Sequence, residues 1–236
     1  FIHTTVFTQK ENMAWRLVSL LAILAVCDAG VAKFDPRVVN GEDAKPGEFP
    51  HIVSLQTPGY SFHFCGGSIL NADYVLTAAH CLEGKSPSSV QVAAGTVNLN
   101  NPHSVHGVEK IILHADYDSS NSWINDIALI KVSTPFVESQ QISFVALPEK
   151  NEVANANDVA LLAGWGRLWQ WGPATQQLQK AHIYIADQDE CRKVYRKVAG
   201  KIYDTSVCAN DPSVEKGACN VSILINVNCL LIFIHH

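Results

Sequence analysis

Short runs of alternating apolar and β-branched residues, separated by turn residues, dominate the chain from His51 onward. They cover His51 to Gln56, Phe62 to Leu70, Tyr74 to Ala79, Val90 to Ala94, Val108 to His114, Ile127 to Val132 and Phe144 to Leu147. Asn100-Asn101-Pro102 and Asp118-Ser119-Ser120-Asn121 punctuate them as loops. Short strands at this spacing predict an all-β barrel. A polar stretch without apolar rhythm, Glu149 to Asp158, then reads as a linker. Beyond it, Val159 to Gly166 and Leu178 to Ile185 predict further strands. Asp187-Gln188-Asp189-Glu190 predicts a helix start, with Asp187 as its cap and Cys191 and Tyr195 on the helix.

The two ends depart from this rhythm. Residues 1–12 are polar and read as translated leader, with Met13 as the start. One basic residue, Arg16, an apolar run from Leu17 to Val26 and small residues at Cys27 and Ala29 predict a signal peptide over 13–29, cleaved after Ala29. The run is well short of the roughly 20 residues that span a bilayer, so secretion is expected rather than a membrane anchor. From Val221 to His236 the chain carries no Asp, Glu, Lys, Arg, proline or glycine. That tail predicts strand formation and aggregation. A reading frame running past an exon end into intron would account for it, since valine codons begin with the bases of a splice donor. Asn220-Val221-Ser222 also forms a glycosylation sequon, a weak three-residue match.

Composition narrows the classes. With 236 residues, 47% of them hydrophobic, the chain can bury one large core or two small ones. A net charge of -5 gives no basic patch, so nucleic acid is not an expected partner. Seven cysteines suit an oxidising compartment. No Cys-x-x-Cys pair occurs, which argues against a zinc site.

The chemistry centres on Val75-Leu76-Thr77-Ala78-Ala79-His80-Cys81, which sets a histidine beside a cysteine at the end of an apolar strand. A strand end is a stiff support for a general base. Further on, Asn125-Asp126 opens the apolar run Ile127-Ala128-Leu129-Ile130, where a carboxylate could hold the tautomer of a histidine. Singly, His80 reads equally as a core histidine and Asp126 as a solvated turn acid.

Together with Arg37-Val38-Val39-Asn40-Gly41 and Gly164-Trp165-Gly166, these segments resemble those of chymotrypsin-like serine proteases, in register from Arg37 to Asn220. The resemblance implies two antiparallel six-stranded β-barrels, here a first barrel over 38–148 and a partial second over 149–220, followed by the tail at 221–236. It implies an activation peptide over 30–37, cut after Arg37 to free the amine of Val38. It implies His80 as base, Asp126 as its orienter, and disulfides Cys65 to Cys81 and Cys191 to Cys208. The pocket-base position falls on Gly217, where an uncharged residue implies large apolar or aromatic side chains in the substrate. No metal or organic cofactor is implied. The implied partners are a peptide or protein substrate, an activating protease and protease inhibitors, with the chain itself a monomer.

After Cys219-Asn220 the resemblance stops. Gly-Asp-Ser-Gly-Gly-Pro, which carries the family's nucleophile, is expected there, but the chain reads Val221-Ser222-Ile223-Leu224-Ile225-Asn226. Ser222 lies one position early. Val221 and Ile223 resist the positive φ that a sharp nucleophile turn requires. The position of the aspartate that would receive the freed Val38 amine falls on Ser222 as well. The chain as written is therefore expected not to hydrolyse peptides, and a non-catalytic homologue that binds other proteins is the rival reading.

Overall fold

The computed structural model describes residues 41–149, 153–166, 174–196, 201–210, 223–225 and 231–234. The leader, signal peptide, activation site Arg37 and Val38, pocket position Gly217, and Cys219, Ser222 and Cys229 lie outside the described residues.

Six strands form the first barrel: β2 (Ile52–Thr57), β3 (Phe62–Ile69), β4 (Tyr74–Thr77), β5 (Gln91–Ala94), β6 (Ser104–Leu113) and β7 (Ala128–Val132), preceded by a two-residue β1 (Glu42–Asp43). They close in the order β2-β3-β4-β7-β6-β5, every pairing antiparallel. The alternation along β7 explains its place, with Ala128, Ile130 and Val132 buried and Leu129 and Lys131 partly exposed. Val53, Leu55, Ile69, Val75, Val92 and Ile130 are fully buried in one core. Close approach of β3 to β4 requires Gly67, because a Cβ there would lie 2.7 Å from Val75 Cγ1 and 3.0 Å from the Leu76 carbonyl oxygen.

Two strand expectations are corrected. Phe144 to Leu147 is no strand; of its backbone donors, Val145 N–H reaches Ile69 O at 2.8 Å. The six strands already close on themselves, leaving no edge for a seventh. Conversely, β6 begins at Ser104, earlier than the apolar pattern suggested, because Ser104 to Gly107 pairs with β5. His106 is buried there, donating from Nδ1 to Thr134 O at 2.7 Å and accepting from Ser104 Oγ at 2.8 Å.

The second sheet contains β8 (Val159–Gly164), β9 (Gln179–Ile185), β10 (Val207–Asn210) and two tail strands, β11 (Ile223–Ile225) and β12 (Leu231–Ile234). Its order is β11-β10-β9-β8-β12, with β1 also paired to β9, and among the described residues it does not close. The tail forms strands, as its composition predicts, and they pair with the edges of the partial barrel. β11 pairs with β10 and β12 with β8, both antiparallel. Exposed rows of N–H and C=O groups attract any strand-forming segment, and the tail is one. Among the described residues, β11 and β12 are the outermost strands.

Helix α1 (Gln188–Tyr195) starts where the sequence predicts. Asp187 accepts from the N–H groups of Asp189 and Glu190 at 3.0 and 2.9 Å. Trp165, almost fully buried, joins the two sheets by packing in a cluster with Ala44, Phe49, Ile52, Leu99, Ala163 and Leu178. Its Nε1–H donates to Val97 O at 3.3 Å.

Candidate active site

Strand register alone brings His80 to Asp126. β4 and β7 are antiparallel neighbours with Thr77 opposite Ala128. His80 comes three residues after Thr77 and Asp126 two before Ala128, so both leave the barrel at the same end. The contact is double. Asp126 Oδ1 accepts the backbone N–H of His80 at 2.8 Å, and Asp126 Oδ2 lies 2.7 Å from His80 Nδ1. A carboxylate only accepts, so Nδ1 carries a proton, and in the neutral ring Nε2, which lies 3.3 Å from Cys81 Sγ, keeps the lone pair that can take one. The Asp126 side chain is 1% exposed and that of His80 24%, which leaves the acid sheltered and the base reachable.

The base is also fixed from its other neighbour. Cys81 is bonded to Cys65 of β3, which ties the turn after β4 back to the sheet. Cys65, His80 and Cys81 bring potential ligand atoms within 4.8 Å of one another. Both sulfurs are committed to the disulfide, however, and a metal would need them as thiolates. Replacing both cysteines with alanine opens a loop with a sequence separation of 16 residues. The chain-entropy relation gives an expected loss of about 3 kcal/mol. Urea unfolding of the C65A/C81A chain measures it, and a loss below about 1 kcal/mol would contradict the staple role. A second bridge, Cys191 to Cys208, ties α1 to β10.

Several side-chain contacts of the first barrel escape the sequence pattern. Glu83 accepts from Tyr117 Oη at 3.2 Å and from Ser119 Oγ at 3.1 Å. Burial, and then the Glu83 carboxylate, push the Tyr117 phenol up to about 12. Ser54 Oγ meets His63 Nδ1 at 2.7 Å, and the His63 ring packs edge-on to Trp165 with centroids 5.7 Å apart.

Burial lowers both His51 and His63 to about 4. In the unfolded chain each titrates near 6.5. Their contribution is therefore complete above pH 6.5 and is lost as the pH falls toward 4, where unfolding lets each take up a proton. At pH 5 the expected loss is about 2 kcal/mol per histidine relative to pH 8. Urea unfolding at the two pH values measures it, and His63→Gln should shrink the difference by about half. An unchanged pH dependence in that variant would contradict this assignment.

The sequence model of the Trypsin family matches residues 38–220. The chain belongs to the trypsin family. Chymotrypsin-2 of Vespa crabro is 40% identical over 183 residues, covering 78% of this chain and 79% of that protein. Trypsin-1 of Astacus astacus is 36% identical over 190 residues, covering 77% and 78%. Among solved structures, human heparin binding protein aligns with a TM-score of 0.67 and 22% identity over 83% of this chain and 79% of that one, a likeness of fold. Membership of this trypsin family implies peptide or protein substrates. Among the described residues, no helix is long and apolar enough to cross a membrane.

Proposed function

We propose that this chain is a secreted, chymotrypsin-like serine endopeptidase precursor in lineage, which carries the base His80 and its orienting acid Asp126 without a working nucleophile. The observation that carries the reading is the doubly accepting Asp126 carboxylate behind a partly exposed histidine, 2.7 and 2.8 Å from its two donors. In a chain that also had the serine, Nε2 of His80 would take the hydroxyl proton as the oxygen attacks the peptide carbonyl, then return it to the leaving amine. The acid would hold the tautomer throughout.

Cleavage after Arg37 would free the Val38 amine. With Ser222 in place of an aspartate, that ammonium finds no carboxylate at the expected position, and burying it unpaired costs on the order of 3 to 5 kcal/mol. The uncharged Gly217 favours large apolar or aromatic side chains over Lys or Arg in the substrate. The chymotrypsin name of the hornet relative agrees with this, while the similar crayfish protein is named a trypsin. The signal-like residues 13–29 and the disulfides support secretion.

A second reading, a non-catalytic homologue that binds substrates or proteases, is favoured by one observation. The tail strands β11 and β12 pair with both edges of the second sheet and so offer a way for the chain to fold as written. Sequencing the messenger RNA past the Asn220 codon separates the two. Transcripts that continue with Gly-Asp-Ser-Gly-Gly-Pro are expected for a protease gene. If the Val221 tail is the only form, the proteolytic reading fails for the product, and secretion as a soluble monomer would favour the binder over a product that misfolds.

A further inference from the structure

The turn that leads into Asp126 is held in a conformation its residues do not favour. Ser122, Trp123 and Asn125 have φ of 53°, 51° and 56°, in the left-handed region that a Cβ disfavours. Three such residues within four positions need support from outside. Part of it is local: Asn125 Nδ2 donates to Asp116 O at 2.8 Å, and Ile124 N–H closes the turn onto Asn121 O at 3.2 Å.

The rest comes from the second sheet's side of the molecule. The hydroxyl of Tyr203 lies 2.7 Å from Asn121 Oδ1 and 3.2 Å from Asn121 O, the same carbonyl that closes the turn. Lys201 N–H donates to Ser122 Oγ at 3.2 Å. Tyr203 is itself fixed. Gln188 Nε2 of α1 donates to the carbonyls of Tyr203 and Ser206 at 3.1 and 2.6 Å, Arg192 pairs with Asp204, and the Cys191–Cys208 bridge closes the loop that carries the tyrosine. A rigid arm from α1 thus ends on the turn five residues before Asp126.

We infer that Tyr203 is a positioning residue for the His80–Asp126 pair, acting through Asn121. It touches neither member of the pair, and the inference rests on reading that pair as base and orienter. By this account the partial second sheet is a strut for the catalytic acid of the first barrel. Asp126 moves if the strut is cut, even though both its direct hydrogen bonds remain available.

The test uses the full chain with Tyr203→Phe, Asn121→Ala and the double variant, with Tyr184→Phe as an exposed control. Two readouts follow the pair directly: the far-downfield proton resonance of a histidine N–H shared with a carboxylate, and hydrogen exchange of the His80 amide bound to Asp126 Oδ1. The amide of Val92 in the barrel core reports on folding. Y203F is expected to broaden the resonance and to speed exchange at His80 roughly tenfold with Val92 unchanged, about the effect of one neutral hydrogen bond. N121A should do the same, and the double variant no more. An unchanged His80 signal in Y203F, or losses that add in the double variant, would overturn the inference. Absence of the resonance from the unmodified chain would instead strike at the His80–Asp126 pairing itself.

Discussion

Replacing residues 221–236 with a segment that begins Gly-Asp-Ser-Gly-Gly-Pro and supplies the remaining strands of a second barrel should raise peptide hydrolysis at least about 10⁶-fold over the chain as written. That factor is the measured effect of losing the serine from a comparable triad enzyme. Under the proposed reading the Gly-Asp-Ser-Gly-Gly-Pro backbone is replaced along with the serine, so it is a lower bound. The described residues before the tail already hold the rest. The barrel is closed, His80 and Asp126 are 2.7 Å apart, and the disulfide to Cys65 fixes the turn between them and the sheet. The graft leaves the first barrel as it is, replaces β11 and β12 beside β10 and β8, and adds a serine and two N–H groups. Chromogenic peptides read out turnover after cleavage behind Arg37. Substrates with phenylalanine or tyrosine before the scissile bond should be cut in preference to those with lysine or arginine, because Gly217 offers no charge. A folded chimera that remains inert would contradict the catalytic role of the pair.

In the same chimera, Asp126→Asn should lower kcat on the order of 10⁴-fold, the size measured for this change in a family member and carried over from it. The geometry says why an isosteric change is so severe. Asp126 accepts from two donors at once, the His80 amide and the His80 ring. An asparagine has one acceptor oxygen and one donor nitrogen. If its oxygen keeps the backbone N–H, its amide nitrogen faces Nδ1, and the imidazole must move its proton to Nε2. The base then meets the serine with a proton where a lone pair is needed. Packing is little disturbed, so urea unfolding should change far less than turnover. A fall in kcat below about tenfold would show that the acid does not set the tautomer.

The first barrel was legible because its strands are half-buried and alternate. Ala128-Leu129-Ile130-Lys131-Val132 states its register in its own pattern. The helix cap at Asp187 was legible for a local reason, a side chain satisfying N–H groups two and three residues on. Phe144 to Leu147 misled because apolar composition cannot say that the barrel is already closed. Ser104 to Gly107 hid a strand because serine, histidine and glycine look like a loop until His106 finds the Thr134 carbonyl. His80 and Asp126 were found from their flanking strands and the family resemblance. What no pattern carried was the support around them: Tyr203 meets Asn121 across 82 positions, and Tyr117 meets Glu83 across 34.

A fluorophosphonate probe shows whether this chain holds a base and its acid but no nucleophile. The folded chain is cut behind Arg37, incubated with the probe, and examined by intact mass and peptide mapping. No covalent adduct is expected, while the chimera bearing the Gly-Asp-Ser-Gly-Gly-Pro segment is labelled once per chain and loses that label on His80→Ala. An adduct on Ser222, abolished by His80→Ala, would contradict this reading.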